Sequence, residues 1–199
     1  MNSGRNLALF DFDGTITRKD SFLLFIRYTS GELRFGAGCL VLFPRIVAFL
    51  LKRYSNQRLK EDFLRFFFQG TEVQELERQA RAFTAELLPR IVRPLALERL
   101  REHQQAGDKV VLVSATPALI LQPWCDRNGI DLLATELQIR NGRLTGSING
   151  RNCRGQEKVR RILGRYPLGE YSAVYAYGDS AGDLPMLDLA DHRFYRPFV

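Results

Sequence analysis

Leu7-Ala8-Leu9-Phe10 is a four-residue apolar run that stops at Asp11-Phe12-Asp13-Gly14-Thr15. A brief apolar run bounded by polar and glycine residues suits a buried strand of a parallel sheet. Its carboxyl end is where open α/β sheets collect their ligands. Period-2 geometry turns Asp11 and Asp13 the same way and Phe12 the opposite way, into the core. Two acids on one face of a sheet crest repel each other unless positive charge lies between them. Mg²⁺, which takes oxygen ligands and pairs with phosphates, is the natural candidate. A strand followed by an ordinary acidic turn is the plainer reading, so the rest of the chain must decide.

The 199 residues, 45% hydrophobic and 26% charged, suffice for one core or for a core carrying a smaller insertion. The net charge of +7 comes from 24 Arg and 5 Lys against 22 acids. That surplus favours anionic partners, namely phosphorylated metabolites, anionic lipid surfaces or nucleic acid, although a solvated basic face reads equally well. No run of five or six like charges and no interleaving of aromatic and basic residues supports nucleic-acid binding. Cys39, Cys125 and Cys153 are odd in number and lack a Cys-x-x-Cys pair, which argues against a disulfide framework and a structural zinc site. His103 and His192 stand apart, and His103, in a charged helical stretch, reads as a surface residue. Nothing at the start reads as a signal peptide, because Asp11 cuts the apolar run. A cytoplasmic location is the expectation.

From Asp20 to about Leu88 the pattern is helical almost throughout. Asn56 begins one helix whose Leu59, Phe63, Phe66 and Phe67 share a stripe. Leu76, Ala80, Phe83 and Leu87 mark another. Residues 35–51 are the most apolar stretch of the chain, with Pro44 and Arg45 near its middle. The favoured reading is a buried helical hairpin. A face for a bilayer or an oligomer partner is the alternative. From Leu95 the alternation typical of α/β proteins sets in: a helix to Gln105, a strand at Lys109–Val113, a helix over 117–127, a strand near 136–140 leading into an Asn141-Gly142 hairpin, a basic helix over 155–165, a strand at 173–177 and a last strand near 193–195.

Three strands therefore end in chemically pointed turns. The first carries Asp11 and Asp13, the second Ser114-Ala115-Thr116, the third Gly178-Asp179-Ser180-Ala181-Gly182-Asp183, and Lys158 lies on the helix between the last two. Parallel strands bring these ends to one edge. Taken singly, Ser114 fits a turn, Lys158 a solvated helix lysine and Asp183 a helix N-cap. Taken together they favour a site.

The order Asp-x-Asp-Gly-Thr, strand-Ser-x-Thr, Lys, Gly-Asp-Ser-x-x-Asp resembles the haloacid dehalogenase superfamily of phosphatases across almost the whole chain. The helices after the first motif resemble the cap of its phosphoserine-phosphatase branch. Residues 152–159 and His192-Arg193-Phe194 resemble a bacterial branch that includes phosphatidylglycerophosphatase C. The resemblance implies a doubly wound α/β core at 1–16 and 94–199, with a helical cap at 17–93. It implies Mg²⁺-dependent hydrolysis of a phosphomonoester through an aspartyl-phosphate.

Asp11 would be the nucleophile and Asp13 the general acid and then base. Ser114 and Lys158 would stabilise the phosphoryl group, and Gly14, Thr15, Ala115 and Asp20 would line the substrate site. Asp11, Asp179, Asp183 and the Asp13 carbonyl would hold the metal. Phosphoserine phosphatases usually follow the second-motif serine with glycines and place Glu where this chain has Asp20, so phosphoserine fits less well; among small-molecule and lipid phosphates, the apolar cap segment and the positive charge lean toward the phosphate of a greasy or bulky alcohol, such as a lipid phosphate. An anion-binding module without catalysis is the rival reading, disfavoured because four acids at one edge repel a polyanion.

Overall fold

The computed structural model describes residues 4–198. Five parallel strands form one sheet: β1 (Leu7–Phe10), β2 (Lys109–Pro117), β3 (Asp131–Thr135), β6 (Val174–Gly178) and β7 (His192–Tyr195), in the spatial order β3-β2-β1-β6-β7. A two-stranded antiparallel hairpin, β4 (Leu137–Arg140) and β5 (Arg143–Ile148), stands apart from it. Asn141 and Gly142 turn the hairpin with φ of 51° and 72°, the left-handed pair that a tight two-residue turn requires. The sheet order reverses at β1, which leaves a crevice at the carboxyl ends of the central strands.

β1 is buried on both faces and divides the core. Ala8 and Phe10 join one apolar cluster with Val110, Leu112 and Tyr177, whereas Leu7 and Leu9 join the other with Val111, Val113 and Ala176. This alternation fixes the register, because a one-residue slip would exchange the faces. It also delivers Asp11 to the crevice with its main chain already bonded to β6, Asp11 N donating to Tyr177 O at 2.9 Å.

Between β1 and β2 run α1 (Ser21–Leu50), α2 (Asn56–Phe68) and α3 (Val73–Glu86). Asp20 caps α1 by accepting from Leu23 N, and Ser55 caps α2 by accepting from Arg58 N, as short polar residues do at helix starts. Then come α4 (Pro94–Gln105), α5 (Ala118–Asn128), α6 (Gln156–Arg165) and the short α7 (Leu184–Leu187). Gly129 ends α5 with φ 63°, the left-handed stop that glycine supplies.

Three expectations are corrected. Residues 35–51 do not fold into a buried hairpin. They continue α1, which kinks at Gly31 (φ 74°) and runs through Pro44. Within that stretch only Gly38 and Leu42 are buried, because one flank packs on α2 and nothing among the described residues covers the other. β3, which the sequence pattern does not announce, pairs with β2. His103 is buried rather than superficial. Its Nδ1 lies 2.7 Å from Asp108 Oδ2 and its Nε2 2.9 Å from the Tyr177 hydroxyl, which satisfies both ring nitrogens inside the core.

Candidate active site

The carboxyl ends of β1, β2 and β6 surround one cavity of about 170 Å³, lined by the predicted Asp11, Asp13, Asp20, Ala115, Lys158 and Asp183 together with Lys60 and Arg154, whereas the predicted Gly14, Thr15, Ser114 and Asp179 are not among its lining residues. Lys158, in the first turn of α6, reaches into the fold. Its Nζ donates to Asp11 Oδ1 at 2.6 Å, Asp183 Oδ1 at 2.7 Å and Val113 O at 2.6 Å. Three acceptors exhaust the three protons of an ammonium. Burial opposes its charge, but Asp11 and Asp183 outweigh that cost and raise its pKa. Lys158 is therefore a fixed cation. Asp11 is pushed up to about 7, first by burial, with Lys158 pulling the other way and Asp183 adding to the rise. Its Oδ2 is buried and has no hydrogen-bond partner among the described residues.

Asp13 is held differently. Its Oδ1 accepts from Ser21 N at 2.7 Å and its Oδ2 from Thr116 Oγ1 at 2.6 Å. Burial, and after it the charge of Asp20, push it up to about 6, while the Thr116 and Ser21 bonds work against the rise. A carboxyl poised there can give and take a proton near neutral pH. Thr116 in turn comes from the last residues of β2, where its pairing with β3 is irregular and Ser114 Oγ accepts from Thr116 N at 3.0 Å. That leaves the Ser114 hydroxyl proton to be donated elsewhere.

Asp183 spends Oδ1 on Lys158 and Oδ2 on the amides of Asp179 and Ser180 and on the Ser180 hydroxyl. Burial works to raise it, but Lys158 and the Ser180 bonds more than compensate and lower its pKa. Asp179 is raised, by burial and then by Asp183, and accepts from Thr15 Oγ1 at 3.2 Å. Thr15 thus points at Asp179 rather than into the cavity. Gly14, at φ 91°, lies so close to Asp179 that a Cβ would fall on its carboxylate, so glycine is required there both for φ and for space.

A divalent cation fits this donor set. One carboxylate oxygen each from Asp11, Asp179 and Asp183 lies within 4.8 Å of the others, all are hard oxygens suited to Mg²⁺, and the unpartnered Asp11 Oδ2 is an available ligand or nucleophile. Asp183, with both oxygens engaged, is better placed to orient the group than to bind directly. Asp13's side chain stands outside this cluster.

Sequence reasoning missed Lys60, Asn56, Arg154, Ser21 and Thr116 as site residues. Lys60 Nζ crosses from α2 to donate to Ala115 O at 2.6 Å and Asn152 Oδ1 at 3.1 Å, and lies 5.6 Å from the Phe22 ring centroid. Burial lowers its pKa to about 8. The one signal available was that Asn56 and Lys60 are four residues apart on a helix and so share a face. Asp20 does double duty, as the α1 cap and as part of the cavity wall.

The family model described as haloacid dehalogenase-like hydrolase matches residues 8–188. The chain belongs to this family. A relative, Protein CicA of Caulobacter vibrioides, is 40% identical over 195 residues, spanning 96% of this chain and 86% of that protein. A histidinol-phosphatase of Neisseria meningitidis serogroup C is 29% identical, spanning 93% of this chain and 87% of its own. A solved phosphoserine phosphatase, an analogue of its phospho-aspartyl intermediate, superposes with a TM-score of 0.68 at 18% identity, covering 97% of this chain and 87% of that one. At that identity the likeness is one of fold: the haloacid dehalogenase-like hydrolase here has the same parallel sheet flanked by helices.

Proposed function

We propose that this hydrolase cleaves a phosphomonoester through a phosphorylated Asp11. The observation that carries the reading is Asp11 itself, its Oδ1 clamped by Lys158 and its Oδ2 buried and unpartnered beside a second, separately held acid. The phosphatases among its relatives support it.

Asp11 attacks phosphorus, the bond from phosphorus to the ester oxygen breaks, and protonated Asp13 delivers its proton to the leaving alkoxide. Asp13, now a carboxylate, takes a proton from water as that water attacks the aspartyl-phosphate. Inorganic phosphate leaves, and Asp11 is restored. Lys158 holds one Asp11 oxygen still and offsets charge on the transferring group. Ser114 has a hydroxyl proton to donate to a phosphoryl oxygen. Asp11 and Asp179, with Asp183 orienting, would hold Mg²⁺. Bound there, the ion would neutralise charge on the phosphoryl oxygens and facing carboxylates.

The test is Mg²⁺-dependent phosphate release from a panel of phosphoserine, histidinol phosphate, sugar phosphates, nucleotides and lipid phosphates. Asp11→Asn is expected to lose at least roughly a thousandfold. Turnover that survives this substitution would refute the mechanism.

One observation favours a membrane-side setting for the reaction. Leu33 (92% exposed), Leu40 (76%), Val41, Phe43, Leu50 and Leu51 lie open along and just after α1, with Arg34, Arg45, Lys52 and Arg53 among them. By length and composition α1 suffices to cross a membrane, but its other flank packs on α2, which supports a peripheral seat on an anionic bilayer. The protein is expected to sediment with anionic vesicles, and Leu40→Asp with Phe43→Asp to release it. Vesicle binding that is unaffected by this pair of substitutions would count against the seat.

A further inference from the structure

The polar cavity has an apolar neighbour on the far side of Lys60. A second chamber of about 330 Å³ opens between the later half of α1 and the start of α2, and Asp20, Phe22, Asn56 and Lys60 line both spaces. Past this polar neck the walls are apolar throughout, chiefly Phe35, Cys39, Ile46, Phe49, Leu59 and Phe63. The space opens to solvent past the exposed Leu50, and it sets an apolar groove directly beside the polar cavity. The polar cavity alone, about 170 Å³, falls short of the roughly 300–1,000 Å³ of ordinary ligand sites; with the chamber it enters that range. Past the neck a polar leaving group would find only the Cys39 thiol as a hydrogen-bonding side chain among the lining residues and would gain nothing from the rest. A hydrocarbon chain loses nothing there.

We propose that the substrate is a phosphomonoester of an alcohol bearing an apolar chain. Its phosphate lies against Asp11 and Lys158, its ester oxygen passes Asn56 and Lys60 at the neck, and its chain fills the chamber between α1 and α2. This inference rests on the phosphomonoesterase reading above and names the class of alcohol that the site accepts.

Two measurements separate the inference from that reading. The first is kcat/KM with Mg²⁺ for n-alkyl phosphates from ethyl to decyl, each below its micelle concentration. The expected result is a rise of up to about fourfold per added methylene until the chamber is full. Ile46→Trp, which fills the chamber, is expected to flatten the rise. The second measurement needs no turnover. Cys39 lines the chamber and is the half-buried member of three free cysteines, Cys125 and Cys153 being buried. In Asp11→Asn with Mg²⁺, decyl phosphate is expected to slow alkylation of Cys39 by iodoacetamide at least tenfold, and ethyl phosphate to leave it unchanged. Cys39 protection without hydrolysis of any ester would uphold the chamber's role and refute the phosphatase reading. Hydrolysis with a flat chain-length series and no protection would overturn the inference and leave the phosphatase reading standing. Neither hydrolysis nor protection would overturn both.

Discussion

Thr116 donates its hydroxyl to Asp13 Oδ2 at 2.6 Å and thereby favours the charged carboxylate. Removing that bond moves the Asp13 pKa further above about 6. The proposed first half-reaction needs Asp13 protonated, so on that mechanism kcat/KM falls as pH rises through its pKa. Thr116→Val is therefore expected to shift the descending limb of the kcat/KM profile to higher pH. It should also lower kcat by roughly tenfold, because a freed carboxyl is no longer aimed. A pH profile of the variant superimposable on that of the wild type would show that Thr116 does not set Asp13. Asp11 and Asp13 were legible in the sequence because they are two residues apart on a strand end, where spacing alone sets their common direction. Thr116 stood inside a recognisable motif, but its role depends on a contact across 103 positions. Lys60 was less visible still. In sequence it is a polar residue on an amphipathic helix, and only the packing of α2 against the end of β2 turns it inward.

At the scale of the element, α6 has one task, to carry Lys158 into the core, and Glu157 beside it anchors the helix. Glu157 is bonded to Arg160 at 2.6 Å and Arg161 at 2.8 Å. The Arg160 bond, ahead of Arg161 and against burial, holds its carboxyl down at about 2, below the ordinary 4.5. A depressed carboxyl contributes stability above its unfolded pKa and loses it as pH falls through its folded one. Glu157→Gln is expected to cost about 1 kcal/mol at pH 7, with the gap to the wild type closing as pH falls from 4.5 toward 2. Urea midpoints across that window check it, and a gap that is constant with pH would remove the ion pairs from the account. Periodicity made α2, α3, α4 and α6 readable, and Asn141-Gly142 announced the hairpin. β3 gave no such cue: Asp131-Leu132-Leu133-Ala134-Thr135 is short, with two half-buried residues before its buried end, and its strand character comes from pairing with β2. α1 misled for a different reason. An apolar composition predicts burial only where a partner exists, and sequence cannot say whether a helix flank has one.

For the whole molecule, the sequence suggests two parts, a sheet and an inserted set of helices, but the apolar packing runs through both. One cluster joins Phe10, Phe12 and Leu112 of the sheet side to Phe25, Phe63, Phe67, Leu76 and Phe83 of the insertion and to Leu137, Leu144 and Ile148 of the hairpin. The hairpin is also tied across by Arg143, which bonds to Gly70 O and Glu72, and by Gly146, whose missing side chain lets Arg65 pass. The candidate site lies where these parts meet, with Lys60 of the insertion bonded to Ala115 of β2, so Lys60 keeps its place only if the insertion stays seated. Residues that share one core unfold together in small proteins. Trp124, the single tryptophan, reports on that core from inside, with its ring 5.2 Å from Phe12. Urea unfolding followed by Trp124 fluorescence is therefore expected to coincide with the loss of helical circular dichroism, to which the insertion contributes heavily. If the helical signal were lost at lower urea than the fluorescence, the insertion would be melting from a sheet that persists without it. The cavity, walled in part by Asn56 and Lys60 of the insertion, would then be lost with the insertion at urea concentrations the sheet withstands.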